Sequence, residues 1–209
     1  MVYNNFLIRF ITSFFFIFLY FFLYLNYSDK IIFFVTFIYL IIFLEILIFF
    51  KRYKFFIISY IFISFVFVHL YFYSNFSPTE FTLIILCIAC FDSASYIVGK
   101  KFGRSKIFIK ISPNKTYEGL FGGVLITNIV SFIIYFIIDL SKINYNLFII
   151  VNFVVLFSFF GDLIQSYFKR LNFLKDSGHF IPGHGGFFDR FDSFLLAIIP
   201  MSLLNLLFS

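Results

Sequence analysis

Two stretches of this sequence hold side chains suited to binding polyanions. The first runs Asp92-Ser-Ala-Ser-Tyr96-Ile-Val-Gly99-Lys100-Lys101-Phe102-Gly103-Arg104 and leads to Ser112-Pro113-Asn114-Lys115-Thr116-Tyr117-Glu118-Gly119. The second runs Gly161-Asp162-Leu-Ile-Gln165-Ser166-Tyr-Phe-Lys169-Arg170, then Lys175-Asp176-Ser177-Gly178-His179, and closes with Pro182-Gly183-His184-Gly185-Gly186-Phe187-Phe188-Asp189-Arg190-Phe191-Asp192. Ser112, Lys115 and Thr116 put hydroxyls and an ammonium just before a helix, whose first amides favour phosphate oxygens. This is not a Walker A loop, since G-x-x-x-x-G-K-[ST] is absent. In a helix, Asp162, Ser166 and Lys169 share one face with Arg170 alongside, and Asp189 and Asp192 share another. Carboxylates gathered beside cations suit Mg²⁺ held by a few carboxylates plus phosphate oxygens.

Each feature also has a plainer reading. The six basic residues between 100 and 115 would serve equally as a topology signal attracted to anionic headgroups. Asp–Lys and Asp–Arg pairs can simply neutralise each other at helix ends. For one acid the plain reading is preferred, but not for Asp92, Glu118, Asp162, Asp176, Asp189 and Asp192 together. Asp92 in particular lies inside an apolar run, where a carboxylate is costly unless it pairs or binds a cation. Cys87 and Cys90 form a lone C-x-x-C in an apolar run and read as packing residues. His69 reads as structural, and Glu45 as structural before catalytic.

The elements that must position these residues are membrane helices. Of 209 residues 62% are apolar and only 12% charged, and mean hydropathy is +1.03. A soluble domain needs about a quarter of its residues charged, so a soluble fold, disorder, a disulfide scaffold and nucleic-acid binding are excluded. Spans of about 20 apolar residues fall at 7–26, 31–50, 55–73, 79–98, 119–138, 147–167 and 191–208. The expected fold is therefore all-α, a polytopic transmembrane bundle of about seven spans. The first span is too long in its apolar core for a signal peptide and lacks a small-x-small cleavage site.

With the N-terminus in the cytoplasm, fourteen of the 16 Lys and Arg residues fall on that side; only Lys30 and Lys142 oppose them. This split sets the expected orientation. All ten glycines lie between Gly99 and Gly186. Residues 1–78 thus read as a lipid-facing scaffold, and 79–209 as a catalytic transmembrane domain with cytoplasmic loops 99–118 and 168–190. The glycines read as allowing positive φ and close backbone approach in anion-binding loops.

Ser166-x-x-Lys169-Arg170-x4-Lys175-Asp176-Ser177-Gly178-x-x-Ile181-Pro182-Gly183-His184-Gly185-Gly186-Phe187-x-Asp189-Arg190-x-Asp192 resembles the signature of phosphatidate cytidylyltransferases. The upstream stretches are similar to that family's D-x-x-A-Y-x-x-G-[KR]-x-x-G and S-P-K-K-T-x-E-G-x-x-G-G. Departures are Ser95 for alanine, Asn114 for lysine and Gln165 for the commoner glutamate. The resemblance covers about 90–193, with Glu45 as a further candidate match, and it implies a shortened N-terminal region.

The resemblance implies the reaction CTP + phosphatidate → CDP-diacylglycerol + pyrophosphate at the cytoplasmic face of the inner membrane. It makes Asp162 and Asp189 the first metal ligands, with Asp92, Glu118, Asp176 and Asp192 as further ligands or orienting groups. Ser112, Lys115 and Thr116 would contact phosphates, and Lys169, Arg170, Lys175 and Arg190 would neutralise them. Gly183, Gly185 and Gly186 would line the substrate site, with His184 either a proton donor or a shaper of the backbone. The implied cofactor is Mg²⁺; a second, monovalent cation and a homodimer remain open. The competing readings are a transporter with ion-binding acids, an inactive family member, and an enzyme acting on an ether lipid. A CDP-alcohol phosphatidyltransferase is discounted because D-G-x-x-A-R…G-x-x-x-D-x-x-x-D is absent.

Overall fold

A computed structural model describes residues 2–74, 76–137, 147–181 and 185–207. Among these residues seven α-helices follow in order: α1 (Val2–Asn26), α2 (Ile31–Phe49), α3 (Lys54–Tyr73), α4 (Pro78–Phe102), α5 (Tyr117–Ile137), α6 (Leu147–Leu171) and α7 (Phe188–Leu207), with a short 3-10 turn, Ser28–Lys30, between the first two. Lipid offers no hydrogen bonds, so an apolar chain that crosses it must satisfy its backbone internally, and the helix does this within one segment. Six of the helices are long and apolar enough to cross a membrane, and α1 adds a shorter apolar stretch, Phe10–Asn26. The all-α bundle expected from hydropathy is the fold.

Two details depart from expectation. The helices outrun their apolar windows: α4 continues through Lys100 and Lys101, α6 through Lys169 and Arg170, and α7 opens at Phe188 before Asp189. Basic side chains complement the negative end of a helix dipole, so these charges extend helices that hydropathy alone would end. The expected loops 99–118 and 168–190 are correspondingly shorter. Within the first, strands β1 (Lys106–Phe108) and β2 (Ser112–Thr116) pair antiparallel as a hairpin, with Lys106 opposite Thr116.

The core lies among α2, α3, α4, α6 and α7, with Ile42, Ile46, Ile57, Val68, Ile84, Val154, Leu195 and Ile198 buried. It crosses the boundary expected at residue 78: Tyr39 meets Ser64 Oγ at 2.6 Å, and Ser64 donates to the Leu195 carbonyl at 2.6 Å. Helices α1 and α5 keep exposed apolar faces; Phe10, Phe14, Phe18 and Phe22 stack in a row along α1.

Glycine brings α4 against α5. A Cβ on Gly119 would stand 2.7 Å from the Ser95 carbonyl oxygen and 3.1 Å from Gly99 Cα. Thr116 fills the seam, its Oγ1 accepting the Gly119 amide at 3.1 Å. Only Gly185, with φ +84°, has positive φ among the described glycines. The Gly99–Gly123 series therefore serves the close backbone approach expected of it, in helix packing, without the positive φ. Gly119→Val should lower stability by about 1–3 kcal/mol through overpacking. Phe121→Leu, on the exposed face of α5, should change it little; thermal unfolding in one detergent compares them, and equal midpoints would contradict the packing account.

Candidate active site

The site is built on one face of α6. Positions 162, 165, 166 and 169 recur at helical spacing, and their side chains turn toward β2 and α7. Asp189, in the first turn of α7, is the most heavily engaged acid. Its Oδ1 accepts Gln165 Nε2 and Lys169 Nζ, each at 2.7 Å. Its Oδ2 accepts the amides of Ser177 at 2.7 Å and Gly186 at 3.4 Å. Four donors thus converge on one carboxylate that keeps only 9% of its side-chain surface exposed. A buried acid is tolerable on such terms, paired and hydrogen-bonded.

Asp162 has a lighter shell. Lys115 Nζ reaches its Oδ2 at 2.7 Å, and Ser166 Oγ donates to its Oδ1 at 3.2 Å. The ammonium also lies 4.4 Å from the Phe159 ring centroid and 3.3 Å from the Phe159 carbonyl oxygen. Lys115 thereby spans from the hairpin to α6. Asp92 accepts Ser193 Oγ at 3.3 Å, and Asp192 accepts the Ser193 amide at 2.7 Å. Asp92 and Asp192 each feel the charge of Asp162, and Asp192 feels that of Asp92. A Cβ on Gly161 would meet the Asp192 carbonyl oxygen at 2.6 Å, so glycine seats α7 directly against α6 beside Asp162.

Four carboxylates (Asp92, Asp162, Asp189, Asp192) stand against two paired ammoniums (Lys115, Lys169), a formal charge of 2 − 4 = −2. The excess sits in the Asp92–Asp162–Asp192 group. Among the described residues no three acids, histidines or cysteines form a ready-made metal cage. Magnesium does not require one, since it is commonly held by one or two carboxylates with substrate phosphates completing the shell. The donor chemistry of this group fits such an ion. Asp189, expected as a first ligand, fits less well, because both of its oxygens are already committed to donors.

The remaining expected residues divide. Arg170 lies 3.4 Å from the carbonyl oxygens of Ile111 and Leu174, strapping the hairpin to the segment after α6. Gly185 lies beside Asp189 and Asp176, and the Gly186 amide faces Asp189. Ser112 opens β2, while Lys175, Asp176 and Arg190 lie exposed around the site. Glu118 is not brought into the acidic group; its carboxylate accepts the Ser105 amide at 3.1 Å and 3.3 Å, bracing the start of the hairpin. Thr116 has its hydroxyl in the α4–α5 seam. Gly183 and His184 lie outside the described residues. His179 packs edge-on against Phe49, and His69 bonds Thr36 and the Phe65 carbonyl within the bundle. Cys87 is buried and both cysteines are free.

This geometry joins the two charged stretches across four separate elements. A family model described as "Cytidylyltransferase family" matches residues 2–208. The chain belongs to the cytidylyltransferase family. Among similar proteins, phosphatidate cytidylyltransferase of Bacillus subtilis (strain 168) is 43% identical over 118 residues, 56% of this chain and 44% of its own length. That of Staphylococcus epidermidis is 43% identical over 116 residues, with the same shares. That of Staphylococcus haemolyticus is 38% identical over 152 residues, 72% of this chain and 56% of its own. The chain spans about half the length of the curated relatives it matches.

The two ion pairs of the site should differ in weight. Lys169→Met strands a buried Asp189 and should cost about 3 kcal/mol of stability. Lys115→Met, at a more open pair, should cost about 1 kcal/mol or less. Denaturant unfolding of both variants in one detergent checks the order, and a larger loss for Lys115→Met would contradict it.

Proposed function

We propose that this protein transfers the cytidylyl group of CTP to phosphatidate, giving CDP-diacylglycerol and pyrophosphate. The observation that carries the reading is the meeting of Lys115 and Lys169 with Asp92, Asp162, Asp189 and Asp192 at one end of the bundle. In the reaction a phosphatidate oxygen bonds to the α-phosphorus of CTP, and the bond from that phosphorus to the β-phosphate's bridging oxygen breaks. The nucleophile is already anionic, so no strong base is needed. What the protein must supply is positioning and charge stabilisation.

Lys115 is poised for the first task. Its pairing with Asp162 holds the ammonium beside the acidic group, where incoming phosphate oxygens would compete for it. Arg170, Lys175 and Arg190, close in sequence to the site's acids and lysines, would offset the charge of triphosphate and lipid headgroup. Lys169 stays on Asp189 and keeps that junction neutral. Asp92, Asp162 and Asp192 would hold Mg²⁺, which when bound supplies charge neutralisation of the transferring phosphoryl group and departing pyrophosphate. Asp189 orients Lys169 and the amides of Ser177 and Gly186.

Purified protein given labelled CTP, phosphatidate and Mg²⁺ should form a CDP-lipid, and a chelator should stop it. Asp162→Asn should lower the rate by on the order of 100-fold or more while the protein still inserts and unfolds cooperatively. Absence of a CDP-lipid product in the wild type would sink the proposal, and full activity of Asp162→Asn would sink the assignment of that carboxylate. The site is further proposed to face the cytoplasm of a bacterial inner membrane, as the charge asymmetry favours. A cysteine placed by Lys110→Cys in a Cys87→Ser, Cys90→Ser background should react with an impermeant maleimide only in inside-out vesicles. Reaction from the outside would reverse the orientation.

A further inference from the structure

Glu45 lies in the last turns of α2, fully buried. No ion pair involves it among the described residues; its donors are neutral. Its Oε1 accepts the Ser177 hydroxyl at 2.5 Å, and its Oε2 accepts the Phe188 amide at 3.1 Å. Ser177 follows α6 and Phe188 opens α7, both more than 130 positions away in sequence. Gly178 and Gly186 close on the carboxylate. A Cβ on Gly178 or Gly186 would collide with the Glu45 head, so glycine at both positions is what lets the backbone close over it. Gly185, at φ +84°, turns the chain there, and Ile181 donates to its carbonyl at 2.9 Å.

The residue bonded to Glu45 is also bonded to the site. Ser177 sends its hydroxyl to Glu45 and its amide to Asp189 Oδ2. Gly186, pressed on Glu45, also directs its amide at Asp189. Phe188, held by its amide, begins the helix that carries Asp189 and Asp192. Burying a carboxylate among neutral donors gains little stability over an apolar side chain of the same size, so the contribution is geometric.

We propose that Glu45 is a positioning residue for the reaction: through the Ser177 hydroxyl and the Phe188 amide it fixes Ser177 and the start of α7 so that Asp189 and Asp192 are presented to α6 in one register. The rate effect rests on the cytidylyltransferase reading of the site, but the structural effect does not. It assigns to α2, far from the signature in sequence, a part in setting the reacting geometry.

Glu45→Gln keeps an acceptor for the Phe188 amide and an amide group that can donate to Ser177 Oγ, so kcat should stay within about threefold of wild type. Glu45→Leu removes both acceptors and should lower kcat by on the order of 100-fold, the scale of a misplacement near 1 Å. Hydrogen exchange on the same detergent-solubilised proteins should show amides of 177 and 186–189 opening about tenfold faster in Glu45→Leu, with α3 and α4 unchanged. Ser177→Ala, which removes one arm only, should cost about tenfold in kcat and decides the matter should Glu45→Leu not fold. Wild-type rates and exchange in Glu45→Leu or Ser177→Ala would overturn the proposal, as would equal losses in Glu45→Gln and Glu45→Leu. If the wild type made no CDP-lipid while 177 and 186–189 loosened as described, the reaction would be wrong and the positioning role would stand.

Discussion

The structure depends on keeping several carboxylates at the end of an apolar bundle. Each costs free energy in surroundings of low dielectric unless a cation or a set of donors compensates it. The compensation comes from elements remote in sequence. Lys169 of α6 serves Asp189 of α7, and Lys115 of β2 serves Asp162 of α6. The partners of these acids thus dictate how α6, α7 and the hairpin assemble. Compensation is incomplete in the Asp92–Asp162–Asp192 group, and the residual negative charge is of the kind that would attract a divalent cation.

Bringing Lys115 to Asp162 requires the hairpin to be held firmly. Glycines at 99, 103 and 119 let α4 and α5 approach so closely that Thr116 is locked between them. Glu118 braces the Ser105 amide, and Arg170 reaches the far turn of the hairpin at Ile111. The basic loop is therefore a folded part of the site. On the opposite side, Asn172 accepts the Lys51 and Arg52 amides at 2.9 Å and 2.7 Å, tying the α2–α3 connection to the end of α6. With Ser64 on the Leu195 carbonyl and Glu45 bonded to Ser177 and Phe188, the first 78 residues also pack against the elements that carry the site.

Sequence alone made the helices legible because bilayer crossing demands long apolar runs, and the fold follows those runs. It also identified the acids and lysines that meet, because charge is scarce here and each charged residue in an apolar chain stands out. It could not show which acid pairs with which base. That choice depends on the α6–α7 register, set by Gly161 against the Asp192 carbonyl, and on a hairpin whose strands carry no apolar alternation. Glu118 and Thr116 look like ligands in a linear reading because they follow Lys115 within three residues, yet their side chains face backbone amides. Glu45 was visible as an isolated acid, but its partners lie over 130 residues away and no local spacing points to them.

The central claim, that acids from α4, α6 and α7 converge to bind a cation with the nucleotide, is tested most directly by electron paramagnetic resonance of Mn²⁺. Titration into the purified protein with CTP present should immobilise about one ion per active chain, and Asp162→Asn or Asp192→Asn should abolish that signal while Glu118→Gln leaves it intact. Undiminished Mn²⁺ binding in both aspartate variants, or its loss in Glu118→Gln alone, would contradict the account.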